Sequence, residues 1–308
     1  MKKTVTIILA ASLLCVAASG QESGFKSRYE RQVRMVGYSG VGVENILDHW
    51  QEAEPDNTDM LEGRYNYYLS KSVSSSVVPK SKPKYLGGDP VITLKDSTGR
   101  DVYYFEENFF VDSLFANSLK AADRAIALEP DELAWRINKI NALLLYEKES
   151  PELAAGEIES LIDYQAAKHP AWTLRGEAPS EDIFLQAVQE YCYTLFRIGT
   201  PVSYEAFRSI SERMLKLYPK DPGFMGNLGS YYLVCKGSPK QARKWYEKVL
   251  KVAPDDYTAA RNCVLIARRE KDEKMEKKYL PVLIRATEDE IERQGYEARL
   301  AALGNKKK

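Results

Sequence analysis

The chain has 308 residues, and its 44 Lys and Arg are matched by 44 Asp and Glu, so the formal net charge is zero. A neutral chain has no overall field with which to gather nucleic acid, an anionic membrane or acidic substrates. Four cysteines are too few for a disulfide-built scaffold of this length.

At the start, Lys2 and Lys3 precede an apolar run from Val5 to Ala18, too short to span a bilayer comfortably, and Ala18-Ser19-Gly20 supplies small residues for cleavage. Residues 1–20 are therefore expected to be a secretory signal peptide, with the mature chain beginning near Gln21. The chain is expected to be exported, to the periplasm or the cell surface. A lipid anchor on Cys15 is the alternative, and Leu14, a large residue before it, argues against one. No second apolar run approaches 18 residues. Cys192, Cys235 and Cys263 remain after processing, an odd number on predicted apolar helix faces, where buried thiols are expected; a Cys235–Cys263 bridge is the alternative.

Five prolines then punctuate the chain. Pro55, Pro130, Pro170, Pro219 and Pro254 each close an apolar segment of helical period, and all but Pro170 are followed within two residues by Asp. Proline ends a helix and Asp or Asn caps the next, so each site predicts a helix-turn-helix joint. The clearest unit runs 35 residues, from Pro219 to Pro254. Its first helix carries Met225, Leu228, Gly229 and Tyr232 as one stripe, and its second carries Ala242, Tyr246 and Val249. Gly229 and Ala242 are small where two helices must approach closely. The same offsets, 12, 8 and 5 residues before proline, select Val43, Leu47 and Trp50; Ser118, Ala122 and Ala125; Ile158, Ile162 and Gln165; and Phe207, Ser211 and Met214. The set before Pro170 is the weakest.

This pattern resembles the tetratricopeptide repeat (TPR), over roughly residues 28–286. The unit from Pro219 departs from that family by one extra residue, expected in the inter-helix turn, by Met225 where Trp is usual and by Val249 where Ala is usual. The resemblance implies an all-α fold, a right-handed α-α superhelix of about six helical hairpins, with a repeat domain over 21–286. It also implies binding of a peptide or protein partner in the concave groove, with no cofactor.

The spacing from Pro55 to Pro130 is 75 residues, which leaves an insertion over residues 70–108 between the two helices of one repeat. Ser70 to Pro83, rich in Ser, Lys and Pro, predicts an exposed or mobile loop. Val91 to Leu94 and Val102 to Phe105, flanking Asp96 and Gly99, predict a β-hairpin. A lone hairpin is marginal in water, so its aromatic residues are expected either to lean on the helices or to receive a partner. At the other end, Thr287-x-x-Glu290 predicts a capping box opening a charged terminal helix, so residues 287–308 are expected to be an end cap and a basic tail.

No motif carries catalytic chemistry. His49 and His169 lack metal-ligand spacing, and no HExxH, G-x-S-x-G or phosphate-cradling glycine motif occurs. Gly37, Gly40 and Gly42 serve as the turn before a helix at Val43. Glu106, Glu107, Asp182 and Asp255 have no paired arrangement legible in sequence and are expected to act as caps. The chain is therefore not expected to be an enzyme, to bind metal or to hold a cofactor. The candidate partner-binding residues are Tyr103, Tyr104, Phe105 and Trp172. Tyr67, Tyr85 and Tyr191 are further rings without a repeat position. A protein or peptide of the cell envelope is the expected partner, and a glycan, captured by exposed rings, is the alternative.

Overall fold

The computed structural model describes residues 24–178 and 182–305. The signal-like run over residues 1–20, the start of the mature chain and the Lys306–Lys308 tail lie outside the described residues.

Four of the five prolines work as joints, whereas after Pro170 the next helix does not begin until Asp182. Helices α2 (Val43–Ala53), α4 (Asp112–Leu128), α8 (Pro201–Leu217) and α10 (Pro239–Val252) each end two residues before a proline. In all four, the residue two places beyond the proline folds its N–H back onto the carbonyl just before it, at 3.0–3.2 Å. That is a turn with proline at its second position, where the ring's fixed φ is already correct. The residue closing each turn is then the cap of the next helix. Asn57 opens α3 (Thr58–Ser72), Glu132 opens α5 (Leu133–Glu147), Asp221 opens α9 (Pro222–Ser230) and Asp256 opens α11 (Tyr257–Glu270), each side chain accepting a backbone N–H of the first turn.

With α1 (Gly24–Val36), α6 (Glu152–Lys168), α7 (Asp182–Ile198), α12 (Glu273–Ala286) and α13 (Glu290–Asn305), the described residues make six helical hairpins and a terminal helix. Each hairpin packs on the next to form an all-α, TPR-like superhelical solenoid. Of the fifteen residues at the proline offsets, all but Gln165 are at most 2% exposed. Gln165 has a polar role instead, accepting the Trp172 indole N–H at 2.7 Å and donating to the Tyr218 hydroxyl at 3.2 Å. Among the described residues no helix is long and apolar enough to cross a membrane.

Two expectations about the helices change, while the cysteines stay unbridged as expected. The extra residue of the unit after Pro219 is not in the inter-helix turn. It is absorbed as a π-turn over Tyr231–Cys235 that continues α9, with the Lys236 N–H reaching Tyr231 O five residues back at 3.3 Å. The cap of α13 is Asp289, which accepts from the Ile291 and Glu292 N–H groups, both at 2.9 Å. Thr287 instead lies buried beneath that turn, its hydroxyl accepting the Asp289 N–H at 3.3 Å. Cys192, Cys235 and Cys263 are all free thiols, so no Cys235–Cys263 bridge forms. Burial pushes the Cys192 and Cys263 thiols up to about 12 and Cys235 up to about 11, which leaves them inert as small hydrophobes.

The insertion is a three-stranded antiparallel sheet rather than a hairpin alone. Strand β1 (Val73–Lys80) replaces the expected loop, pairing with β3 (Asp101–Phe110), which also pairs with β2 (Ile92–Lys95) in the order β1-β3-β2. Helix α3 passes directly into β1 and β3 into α4, and the Val111 N–H bonds Ser72 O at 2.8 Å across the junction. The antiparallel helix pair thus continues outward as an antiparallel ribbon.

Candidate interaction surface

The strand alternation decides what the insertion presents, because neighbouring residues point to opposite faces. Tyr103, Phe105, Glu107 and Phe109 share one face of β3, and this face meets the body of the protein. Phe105 is 4% exposed and lies edge-on to Tyr85, with ring centroids 5.7 Å apart. Glu107 is buried between Lys80 and Lys148, the latter at 3.1 Å and on the α5–α6 turn. Burial works against the Glu107 charge, but the two ammonium groups outweigh it and hold the carboxyl below its ordinary range. Lys148 also covers the Phe109 ring, 4.7 Å from its centroid. Further along, Gly87 (φ 72°) lies so close to α7 that an added Cβ would sit 2.6 Å from Arg197 O. The inner face therefore leans on the ends of the next two hairpins.

Beyond Phe110, which packs on Phe115 and Tyr146 at the helix junction, the opposite face is open. Pro79, Tyr104 and Ile92 stand in one row across the three strands, with Val102 opposite Leu94 beside them and Val77 on β1. Val77, Ile92 and Leu94 are 54%, 49% and 48% exposed, and Tyr104 and Val102 are half-buried at the centre. Ser75, Glu106 and Asn108 form a hydrogen-bonded polar rim. A contiguous apolar patch with a polar border is the character of a protein contact site, whereas singly scattered apolar residues are ordinary surface. Adjacent in sequence, Tyr104 faces out while Tyr103 and Phe105 face in.

Trp172 is elsewhere and closed off. It is 9% exposed, stacks on Phe184 with ring centroids 6.2 Å apart, and spends its indole N–H on Gln165. Tyr67 and Tyr191 are buried too, at 2% and 5% exposure. His49 is exposed on α2, and its Nδ1 lies 2.7 Å from Asn45 O. His169 ends α6 in the left-handed region. Among the described residues no three His, Cys, Asp or Glu side chains converge as a metal-binding group.

A concavity of about 570 Å³ lies between the start of α3, the α4–α5 turn and the 173–176 turn. Sequence patterns gave no sign of it, because its parts come from three separate stretches of chain. Glu132 organises it, accepting from the N–H groups of Ala134 (3.1 Å), Arg175 (2.8 Å) and Gly176 (3.0 Å) and from Thr173 Oγ1 (2.9 Å). Burial disfavours the Glu132 charge, yet these donors outweigh it and hold the carboxyl below its ordinary range. A depressed carboxyl adds stability at neutral pH that fades as pH falls through its folded-state value. Glu132→Gln turns an amide N–H₂ toward those donors and is expected to cost about 1–2 kcal/mol at pH 7. Chemical denaturation is the check, and the difference should shrink as pH falls below the ordinary carboxylate range toward the depressed folded-state value of Glu132.

The class defined so far is a TPR-like helical solenoid bearing a sheet with one open apolar face. No family model matches the chain, and no curated protein matches it. The solved structures to which it is similar in part include these three. One was determined for the functional characterisation of Pseudomonas aeruginosa pilF, with 16% identity over 63% of this chain and 78% of that one, at TM-score 0.40. Another is PilW, a widely conserved type IV pilus biogenesis factor, with 12% identity over 90% and 99% of the two chains, at TM-score 0.38. The third is the flexible tandem repeat domain of a bacterial cellulose synthase, with 16% identity over 91% and 97%, at TM-score 0.28.

Proposed function

We propose that this protein is a non-catalytic interaction scaffold of the bacterial cell envelope, exported by its first 20 residues and binding a peptide or protein partner. In this reading residues 21–286 form the repeat domain, with the sheet inserted in it, and residues 287–308 close it. The observation that carries the reading is the open apolar face of the sheet around Tyr104, held rigid because its other face is locked onto two neighbouring hairpins. A fixed apolar surface binds with little ordering cost. Phe105 serves it from behind, packed on Tyr85, while Tyr103 lies on that same inner face by alternation. The glycan reading loses its principal ring, since Trp172 is enclosed.

The test is photo-cross-linking in the native envelope from Tyr104, with the trapped species identified by mass. Ile92→Thr with Leu94→Thr, which keep strand propensity while removing apolar surface, should reduce capture by about tenfold or more while changing stability by only about 1 kcal/mol. Capture that is unchanged in the double variant, or a glycan-array signal from the wild-type chain with no protein trapped, would overturn the reading.

A further inference from the structure

Among the described residues the outer edge of β1 is unpaired, in the sheet order β1-β3-β2. Two backbone hydrogen bonds, one on each side of β3, define which residues of β1 turn outward. The Val111 N–H donates to Ser72 O and the Val91 N–H donates to Tyr104 O, both at 2.8 Å. By alternation Ser74, Ser76 and Val78 turn their backbone groups toward β3, while Val73, Ser75 and Val77 turn theirs to the open side. Pro79, without an N–H, bounds this open stretch at one end. At the other the α1–α2 turn reaches α3, with the Ser39 and Ser70 hydroxyls 3.2 Å apart.

Soluble proteins ordinarily guard such an edge with charge, proline or a bulge. The stretch Val73-Ser74-Ser75-Ser76-Val77 has none of these, and it reads the same in both directions. We propose that this edge pairs antiparallel with the same edge of a second copy of the chain, about a twofold axis at Ser75, joining two three-stranded sheets into one of six strands. Across that axis Val73 of one protomer lies opposite Val77 of its partner, and Ser75 lies opposite Ser75. A twofold contact must be self-complementary, and a palindromic strand satisfies this residue by residue. Every opposed pair is small and uncharged, so no like charges meet. Since α3 enters β1 from one end only, antiparallel pairing sends the two solenoids away from each other. Val73 and Val77 share the face of Tyr104, so the two apolar faces become continuous. The proposal stands independently of the envelope partner. Five paired residues bury less than the roughly 800 Å² per partner of a standard interface, so the dimer is reversible.

Sedimentation equilibrium of the purified chain over a concentration series is expected to show a monomer–dimer equilibrium. Ser75→Lys and Ser75→Glu each set like charges across the axis and should raise the dimer Kd about tenfold or more, and an equimolar mixture of the two should restore association. Far-UV circular dichroism reports whether β1 persists; if the charged variants alter it, Ser75→Pro, which removes the outward N–H along with the Ser75 hydroxyl, takes their place and must weaken the dimer, with Ser75→Ala, which loses the hydroxyl alone, associating as the wild type does. A wild-type chain that stays monomeric throughout, a charged or proline variant that associates as the wild type does, or a mixture of intact charged variants that fails to associate would each overturn the proposal.

Discussion

Glu276→Ala is expected to lower stability by about 2–3 kcal/mol and to release the last helix from the solenoid. Glu276 is 2% exposed and accepts from Arg268 Nε at 2.6 Å and from Arg299 Nε and Nη2 at 2.9 and 2.7 Å. One carboxylate of α12 thereby ties α11 on one side to α13 on the other. The paired Arg299 guanidinium, more than any other group, holds that carboxyl below its ordinary range. Both arginines are about two-fifths exposed, so the loss falls short of the value for a fully buried pair. Urea melts give the stability change, and amide exchange in α13 gives the release. Arg299→Ala should loosen α13 more than Arg268→Ala does, because only Arg299 is on that helix. Since the folded-state carboxyl is depressed, the difference from wild type should narrow as pH falls below about 4. Unchanged protection of α13 in Glu276→Ala would contradict the clamp.

Gly229→Val is expected to cost about 3 kcal/mol. A Cβ at Gly229 would sit 2.5 Å from Tyr246 Cε1 and 2.8 Å from Cδ1, inside van der Waals contact. Tyr246 has nowhere to go, being 1% exposed with its hydroxyl 3.2 Å from Ser230 Oγ. Any gain in helix propensity over glycine, at most about 1 kcal/mol, is too small to offset that overlap. Combining the substitution with Tyr246→Leu opens space beside α9, so Gly229→Val should cost at least about 1 kcal/mol less in that background. Equal costs in the two backgrounds would mean that the ring is not what excludes a side chain there.

Much of the solenoid was legible because proline joints and helical spacing are local signals. Val43, Leu47 and Trp50 could be placed in the core by counting back from Pro55, and Ala242, Tyr246 and Val249 from Pro254. Gln165 was a poor match because its role depends on Trp172 and Tyr218, remote residues that no spacing reveals. The π-turn at Tyr231–Cys235 was misplaced since an added residue has the same length signature in a helix as in a turn. Strand β1 was hidden for a related reason. Its serines give no alternating apolar face, and it is a strand by virtue of pairing with β3. For the interaction surface, three consecutive aromatics marked the region, and alternation implied that Tyr104 would oppose Tyr103 and Phe105. Which face was outward required the lysines and Tyr85 that cover the other one.

The place of the sheet also bears on the order in which the chain folds. Between α11 and α12 only residues 271–272 intervene, whereas α3 and α4 are separated by residues 73–111. Closing the longer connection costs roughly 2.6 kcal/mol more in chain entropy before the two helices can touch. The short-turned hairpins toward the C-terminus are therefore the natural nucleus, and the α3–α4 pair joins late, once its strands have zipped and brought the helices together.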